Sequence, residues 1–440
     1  MYATQEFGRF VADFPAGGLP QSAREMASLL LLDLMAATGA GRDAALSTAA
    51  RGAAADLGAK GPATVWMTGL KLDIASAAMA NAAAASALDI DDGHRGAAGH
   101  PGAGVIPAAL AVGEANGNSD EEILEAIVLG YDVALRVGTA RPVETIATYA
   151  SGLWVGFGVA AAAGRLLKLN ADQIAHALGI VAAEGPIAFG SGTTKYQGTT
   201  VKEMIPAAVT AGLVAAYRAR HGGTGPLDIL DKEASYTRAV LTGDLGASWW
   251  IEGCYIKPYA ACRYMHAAID ALLVLRDPAK PVKSLRIETF ARGLRLSNSR
   301  APASLEAGQY SYPFSCALAA LRGEAALQPV LPEALSDAEV LDLAARVELV
   351  PHDDFTPMFP KATPCRVILD QGDGPEEMTV LSPRGDVGNP MSREEVGTKF
   401  RRITRATLSE PEQDRILAAL DGVLEQGFRP LFAALSLSQP

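Results

Sequence analysis

The stretch from Asp89 to Pro101, DIDDGHRGAAGHP, puts three carboxylates and two imidazoles into one short run of a chain with only six histidines. Three chemistries suit such a run. Asp91, Asp92, His94 and His100 are residue types that ligate metal ions, but their spacing matches no zinc pattern such as H-E-x-x-H. A polar loop after a helix would also use Gly93, Gly96 and Gly99. Proton transfer beside an anionic substrate is the third, and it requires cationic partners from elsewhere in the chain.

Such partners exist. Lys202 follows the Gly/Thr-rich stretch from Gly190 to Thr200 and opens an apolar run. The free N–H groups of a helix start there would favour an anion, whereas Lys195 reads as a solvated lysine. Lys257 is followed by Cys262, Arg263 and His266, which concentrates cationic groups within ten residues. The expected domain junction falls here, and pockets favour junctions. His266 reads equally as a core histidine. Cys262 and His266 are spaced for a thiolate–imidazole pair, but nothing else in the sequence supports a cysteine nucleophile. Neither a G-x-S-x-G elbow, a P-loop nor a dinucleotide fingerprint occurs in a strand–helix context.

The elements that must position these residues are mostly helical. To about residue 265, apolar residues recur at three and four, with abundant alanine. Ser119 with Glu122 forms a capping box ahead of the run from Ile123 to Val137, and Asn170 with Gln173 caps the next in the same way. The Ala-rich run from Ile74 to Leu88 has small residues on all faces, which predicts a buried helix leading into the Asp89 motif. Near residue 280 the texture changes. Ser284–Phe290 alternates as a half-buried strand does, Val347–Val350 is a second strand, and Arg366–Asp370 with Met378–Leu381 reads as a hairpin. Ser392 with Glu395 and Ser409 with Glu412 restart helices. The expected architecture is mainly α with an inserted α+β domain. It divides into an all-helical domain over 1–266, a smaller lid-like α+β domain over 267–390, and helices over 391–440 that return to the first.

Composition narrows the partners. About half of the 440 residues are apolar, a fifth are charged, and the net charge is −11. An acidic chain repels phosphate backbones, so nucleic acid is not expected as a partner. No apolar run is long enough to span a membrane, and the start shows no secretory pattern. Cys254, Cys262, Cys316 and Cys365 lie apart without a C-x-x-C, as in a reduced cytoplasmic protein.

Several segments together resemble the MmgE/PrpD family, which includes 2-methylcitrate dehydratase, cis-aconitate decarboxylase and iminodisuccinate epimerase. They are DIDDGHRGAAGHPGAGVIPAALAVGE, the run from Thr200 to Pro206, the run from Ile256 to His266, and the run from Asn389 to Phe400. The resemblance implies a homodimer without metal or organic cofactor, working on small di- or tricarboxylates between its domains. By motif it implies Asp89, His100, Lys202, Lys257 and His266 in the active site, with Asp91, Asp92 and His94 as motif members. Four positions depart from the family pattern. Gly93 stands where decarboxylases have Thr, Tyr149-Ala150 where many members have His-Pro, Ile205 where many have His, and Phe314 where the decarboxylase group has Tyr. The expected activity is therefore a lyase or isomerase, a dehydratase first, with epimerase and decarboxylase as alternatives and an inactive carboxylate binder as the non-enzyme reading. In this scheme His100 moves the proton, Asp89 orients it or holds it charged, Lys202, Lys257 and Arg263 offset the developing charge, and Tyr149 donates to a leaving hydroxyl.

Overall fold

Helix starts in this chain are written locally. Ser119 Oγ accepts from Glu122 N at 3.2 Å while Glu122 Oε2 accepts from Ser119 N at 2.9 Å. Asn170 and Gln173 repeat the exchange at 2.9 and 3.1 Å, and Ser392 and Glu395 at 3.2 and 2.7 Å. Each exchange satisfies two backbone donors that a helix end would otherwise leave open.

The structure, a computed structural model, describes residues 1–142, 150–187 and 201–436. Tyr149 and the stretch from Gly190 to Thr200, with Lys195, lie outside the described residues. Eighteen α-helices and eight strands occur among the described residues, and no strand exceeds six residues, so the architecture is mainly α. The N-terminal part is a helical assembly. Helix Ile74–Ser86 packs against Gly102–Asn116, Ile205–Arg220 and Gln21–Gly41, and nine of its thirteen residues are buried, as an element lined on every side must be. Helices Asp120–Thr139 and Val155–Leu166 cross with their backbones nearly touching. A Cβ on Gly158 would lie 2.3 Å from the Gly130 carbonyl oxygen, so only glycine permits this approach.

The smaller α+β part holds a four-stranded sheet in the order Glu348–Pro351, Ser284–Thr289, Cys365–Asp370, Pro375–Val380. The first pair is parallel and the other two are antiparallel. Cys365–Asp370 alternates buried and half-buried along its length, the period of a strand covered on one face. Helix His266–Leu275 packs on the hairpin and on helix Tyr312–Arg322. Beyond the sheet, helix Arg393–Thr404 lies against Gln21–Gly41, near the chain's other end. There Lys399 Nζ donates to Asp33 Oδ1 at 2.5 Å and to the Ile90 carbonyl at 2.7 Å, with both side chains buried. The C-terminal helices are thereby fastened to the start of the Asp89–His100 motif.

Candidate active site

The site begins where helix Ile74–Ser86 stops. Asp89 adopts a left-handed φ of +54° and turns the chain into the motif. Beyond it, Gly93–His94 pairs antiparallel with Cys254–Tyr255. This two-residue ladder joins the motif to the segment that carries Lys257, more than 150 positions later in the sequence.

The Asp89 carboxylate is 1% exposed and gathers three cationic groups. Lys202 Nζ lies 2.5 Å from Oδ1, His100 Nε2 3.3 Å from Oδ1, and Lys257 Nζ 3.1 Å from Oδ2. Lys257 also donates to the Asp89 carbonyl at 2.8 Å. Burial disfavours the charge on Asp89, but the two ammonium groups and His100 outweigh it and hold this carboxyl well below its usual range. Lys202 is raised in return, against the cost of its own burial, by Asp89 and Glu203.

Lys202 sits in a short turn, Lys202–Met204, ahead of helix Ile205–Arg220 rather than within it. All three turn residues are left-handed, with φ of 23°, 52° and 61°. None is glycine, and such conformations cost roughly 1–3 kcal/mol each unless the surroundings enforce them. The surroundings do so. Lys202 Nζ also donates to Tyr310 Oη at 2.8 Å, and Tyr310 Oη donates to Glu203 Oε1 at 3.0 Å. Glu203 Oε2 accepts from Ser151 N at 3.0 Å and Oγ at 2.6 Å. Ser151 Oγ in turn accepts from His100 N at 2.9 Å. A closed circuit therefore runs from Asp89 through Lys202, Tyr310, Glu203 and Ser151 to His100.

The His100 ring is held at both nitrogens. Nδ1 lies 3.1 Å from Asp91 Oδ2 and 3.1 Å from the Asp92 carbonyl. The hydrogen bond goes to the carbonyl, and the Asp91 contact is ionic. Burial opposes the ring's charge and so does Lys257, but Asp91 and Asp89 prevail and raise its pKa to about 10. This corrects the expectation of an imidazole that titrates near neutrality. His100 is an imidazolium in the resting site, because two buried carboxylates face it. Asp91 is lowered by the same pairing, against its burial. Asp92 goes the other way: burial, then Asp91 and Asp33, push it well above the carboxylate range, and it receives a hydrogen bond from Tyr131 at 3.2 Å.

The remaining candidates have other partners. His94 stacks on Trp250 and accepts from Ala97 N at 3.2 Å, and burial lowers it to about 4. It is a neutral strut of the loop. Arg263 bonds the carbonyls of Arg384 and Pro383 and pairs with Asp386 at 3.2 Å. His266 sits between Arg263 Nη1 at 3.1 Å and the Ala261 carbonyl at 3.0 Å, and burial followed by Arg263 lowers it well below its usual value. Arg263 and His266 thus brace the segment after Lys257; neither bonds a side chain of the Asp89 cluster, although Lys257 and Asp89 act on the buried His266 ring through their charge. The thiol of Cys262 is pushed up to about 12 by burial and by Asp89, which leaves it protonated and ends the thiolate–imidazole reading.

Glu203, Tyr310 and Ser151 were not singled out from the sequence. Glu203 directly follows Lys202, and that adjacency was a usable signal. Tyr310 lay in view beside Phe314, but only the fold shows which aromatic meets Lys202.

Asp89, His100 and Glu203 are the set among the described residues whose ligand atoms come close enough, within 4.8 Å of one another, to share an ion. The donor set does not fit a divalent cation. Lys202, Lys257 and the His100 imidazolium already neutralise Asp89 and would repel a fourth positive charge. An apolar groove of about 810 Å³, lined by Lys60, Ile74, Leu213, Tyr217 and His221 among others, contains none of this machinery. Clustered charge, not groove size, marks the site.

Comparison with known proteins agrees with the geometry. The MmgE/PrpD N-terminal domain model matches residues 5–247 and the MmgE/PrpD C-terminal domain model matches residues 259–425. A cis-aconitate decarboxylase-like protein, oryM, of Aspergillus oryzae is 24% identical, over 94% of this chain and 92% of its own length. Two cis-aconitate decarboxylases of Aspergillus terreus are 24% and 25% identical, each over 92% of this chain and 90% of its own. Family and relatives together indicate an enzyme of the dehydratase or decarboxylase type. Both family regions lie in order and cover most of the sequence, and the second reaches the site of the first where Tyr310 meets Lys202: the chain belongs to the MmgE/PrpD family.

Proposed function

We propose that this chain is a lyase, a dehydratase in the first place, that removes a proton beside a carboxylate of a small di- or tricarboxylate or hydroxy acid. The observation that carries this reading is the convergence of Lys202, Lys257 and the His100 imidazolium on one buried carboxylate. An ammonium group has three N–H donors. Among the described residues Lys202 gives two, to Asp89 and Tyr310, and Lys257 gives its hydrogen bond to the Asp89 carbonyl. Each keeps at least one for a substrate carboxylate. Proton removal turns that carboxylate into an enediolate, whose added charge these fixed cations stabilise without reorganising. The charge compensation comes from the chain's own side chains, so the reading requires neither a metal nor an organic cofactor.

Decarboxylation is the second reading. The names of the relatives favour it, and the same cations would stabilise the carbanion left by departing carbon dioxide. Position 93 speaks for elimination instead. A Cβ on Gly93 would lie 2.5 Å from Tyr255 Oη and 2.6 Å from Cζ, so Tyr255 fills the space a threonine would need. The homodimer implied by the resemblance belongs to the same proposal, and sedimentation equilibrium measures it.

The test is a panel of small acids, including citrate, 2-methylcitrate, malate, tartrate and cis-aconitate, incubated with the protein in deuterated water and followed by proton NMR. The expected result is loss of a C–H signal next to a carboxylate together with a new vinylic signal. Carbon dioxide release without exchange would select decarboxylation. Exchange with inversion and no elimination would select epimerisation. Silence across the panel, with the protein folded, would overturn the reading.

A further inference from the structure

We propose that Glu306 is the base that takes the substrate proton, an assignment that rests on the lyase reading above. The elimination needs an acceptor, and the obvious carboxylates are committed. Asp89 holds two ammonium groups, and Asp91 faces His100. Burial and the neighbouring Asp91 push Asp92 toward its neutral form. Both Glu203 oxygens accept hydrogen bonds, from Tyr310 on one side and Ser151 on the other. Glu306 differs. Its Oε1 is buried and, among the described residues, has no hydrogen-bond partner; oxygens of Asp89, Asp91 and Asp92 are also unbonded, but Asp89 and Asp91 are ion-paired and Asp92 is pushed toward its neutral form. A buried acceptor left unpaired costs about 1–3 kcal/mol, so its persistence calls for a purpose.

Its placement supplies one. Glu306 lies on the short helix Leu305–Gln309, which runs directly into Tyr310. That helix is tied to both halves of the site: Gln309 Nε2 donates to the Ala87 carbonyl at 3.3 Å, and the Gln309 carbonyl accepts from Cys262 N at 2.8 Å. The charged groups that act on Glu306 are Lys202, Asp89 and Glu203, all members of the circuit around the cluster. The residue as a whole is only partly buried, unlike Asp89, Lys202 and Lys257. Burial, opposed by Lys202 and supported by Asp89 and Glu203, raises its carboxyl to about 7. That is the poise of a base that must gain and lose a proton near neutrality.

The step balances. Oε1 takes the proton from the carbon beside the substrate carboxylate, and the C–H pair moves into that carboxylate as an enediolate. The pair returns to form the C=C bond as the neighbouring C–O bond breaks. The departing oxygen takes a proton from the His100 imidazolium and leaves as water. Glu306 then releases its proton to solvent while His100 regains one.

Glu306→Gln is close to isosteric and tests the assignment. With whichever panel acid the native protein turns over, the variant is expected to lose α-proton exchange by about 10²–10⁴-fold with KM little changed. The rise of kcat/KM with pH should lose its step near 7, and Glu306→Asp should restore that step with partial rate. Exchange undiminished in Glu306→Gln would overturn the assignment while leaving the lyase reading intact. A panel on which the native protein is silent would sink the lyase reading instead. The base assignment falls with it; where the native protein is active, carbon-13 NMR of protein labelled at the glutamate carboxyl adds a second check, and the absence of a resonance that titrates near neutrality and disappears in Glu306→Gln would overturn the assignment. Circular dichroism of each variant checks that the fold is kept.

Discussion

At the scale of single residues, the site works by mutual compensation. Removing Asp89 would leave Lys202, Lys257 and the His100 imidazolium facing one another in a buried space. The sharper test is His100 itself, whose pKa is raised from 6.5 to about 10 by Asp91 and Asp89 against burial and Lys257. A group raised on folding adds stability that is complete below its unfolded value and is lost as pH climbs through its folded value. The unfolding free energy from urea titration is therefore expected to fall between about pH 6.5 and about pH 10, with a slope of up to about 1.4 kcal/mol per pH unit from this one ring. His100→Asn should flatten that limb. Asp89 and Asp91 act with the opposite sign. They are lowered on folding, so their contribution is present above the ordinary carboxylate range and is lost on acidification. The sequence singled the histidine out as a candidate for proton transfer, but its resting charge was not legible there. The two carboxylates that set it are near in sequence, and only the left-handed turn at Asp89 brings both to the ring.

At the scale of elements, the buried pair between helix Arg393–Thr404 and helix Gln21–Gly41 invites a double substitution. Lys399→Met leaves Asp33 buried without its cation, and breaking such a pair typically costs about 3–5 kcal/mol. Chemical denaturation should show that loss. Asp33→Leu combined with Lys399→Met should recover most of the stability, because the uncompensated charge is then gone. Activity should stay depressed in the double variant, since Lys399 also holds the Ile90 carbonyl between Asp89 and Asp91. Elements themselves were largely readable. Capping boxes, the Ala-rich buried helix and the alternating strands follow from local rules, and the structure contains them. Asp33 shows where local reading fails: beside the apolar run from Leu29 to Leu32 it registers as an interruption, and its partner is 366 positions away. The Lys202–Met204 turn fails for another reason. Left-handed residues are usually announced by glycine, and this turn has none.

At the scale of the whole molecule, the four cysteines are free, and no helix among the described residues is long and apolar enough to cross a membrane. What unites the chain is the meeting of segments around 89–100, 202–203, 257 and 310. Their residue types were visible one by one, and the resemblance grouped most of them. That Arg263, His266 and His94 bond other groups than the side chains of the cluster depended on partners that no spacing reveals. The contact between Gly93 and Tyr255 gives a test at this scale. Gly93→Thr alone should lower the thermal midpoint by several degrees, because the ring cannot yield without disturbing the ladder. Adding Tyr255→Ala should restore much of it, and a Gly93→Thr protein as stable as the native one would contradict the packing described here.

That short ladder also constrains how the sequence can change over time. Residues 93–94 lie in the N-terminal family region and residues 254–255 between the two regions, yet they must be inherited as a matched set. A chimera that takes its first half from one relative and its second from another would bring together partners never selected for each other. Such exchanges should succeed only when the donor's choices at 93 and 255 travel together.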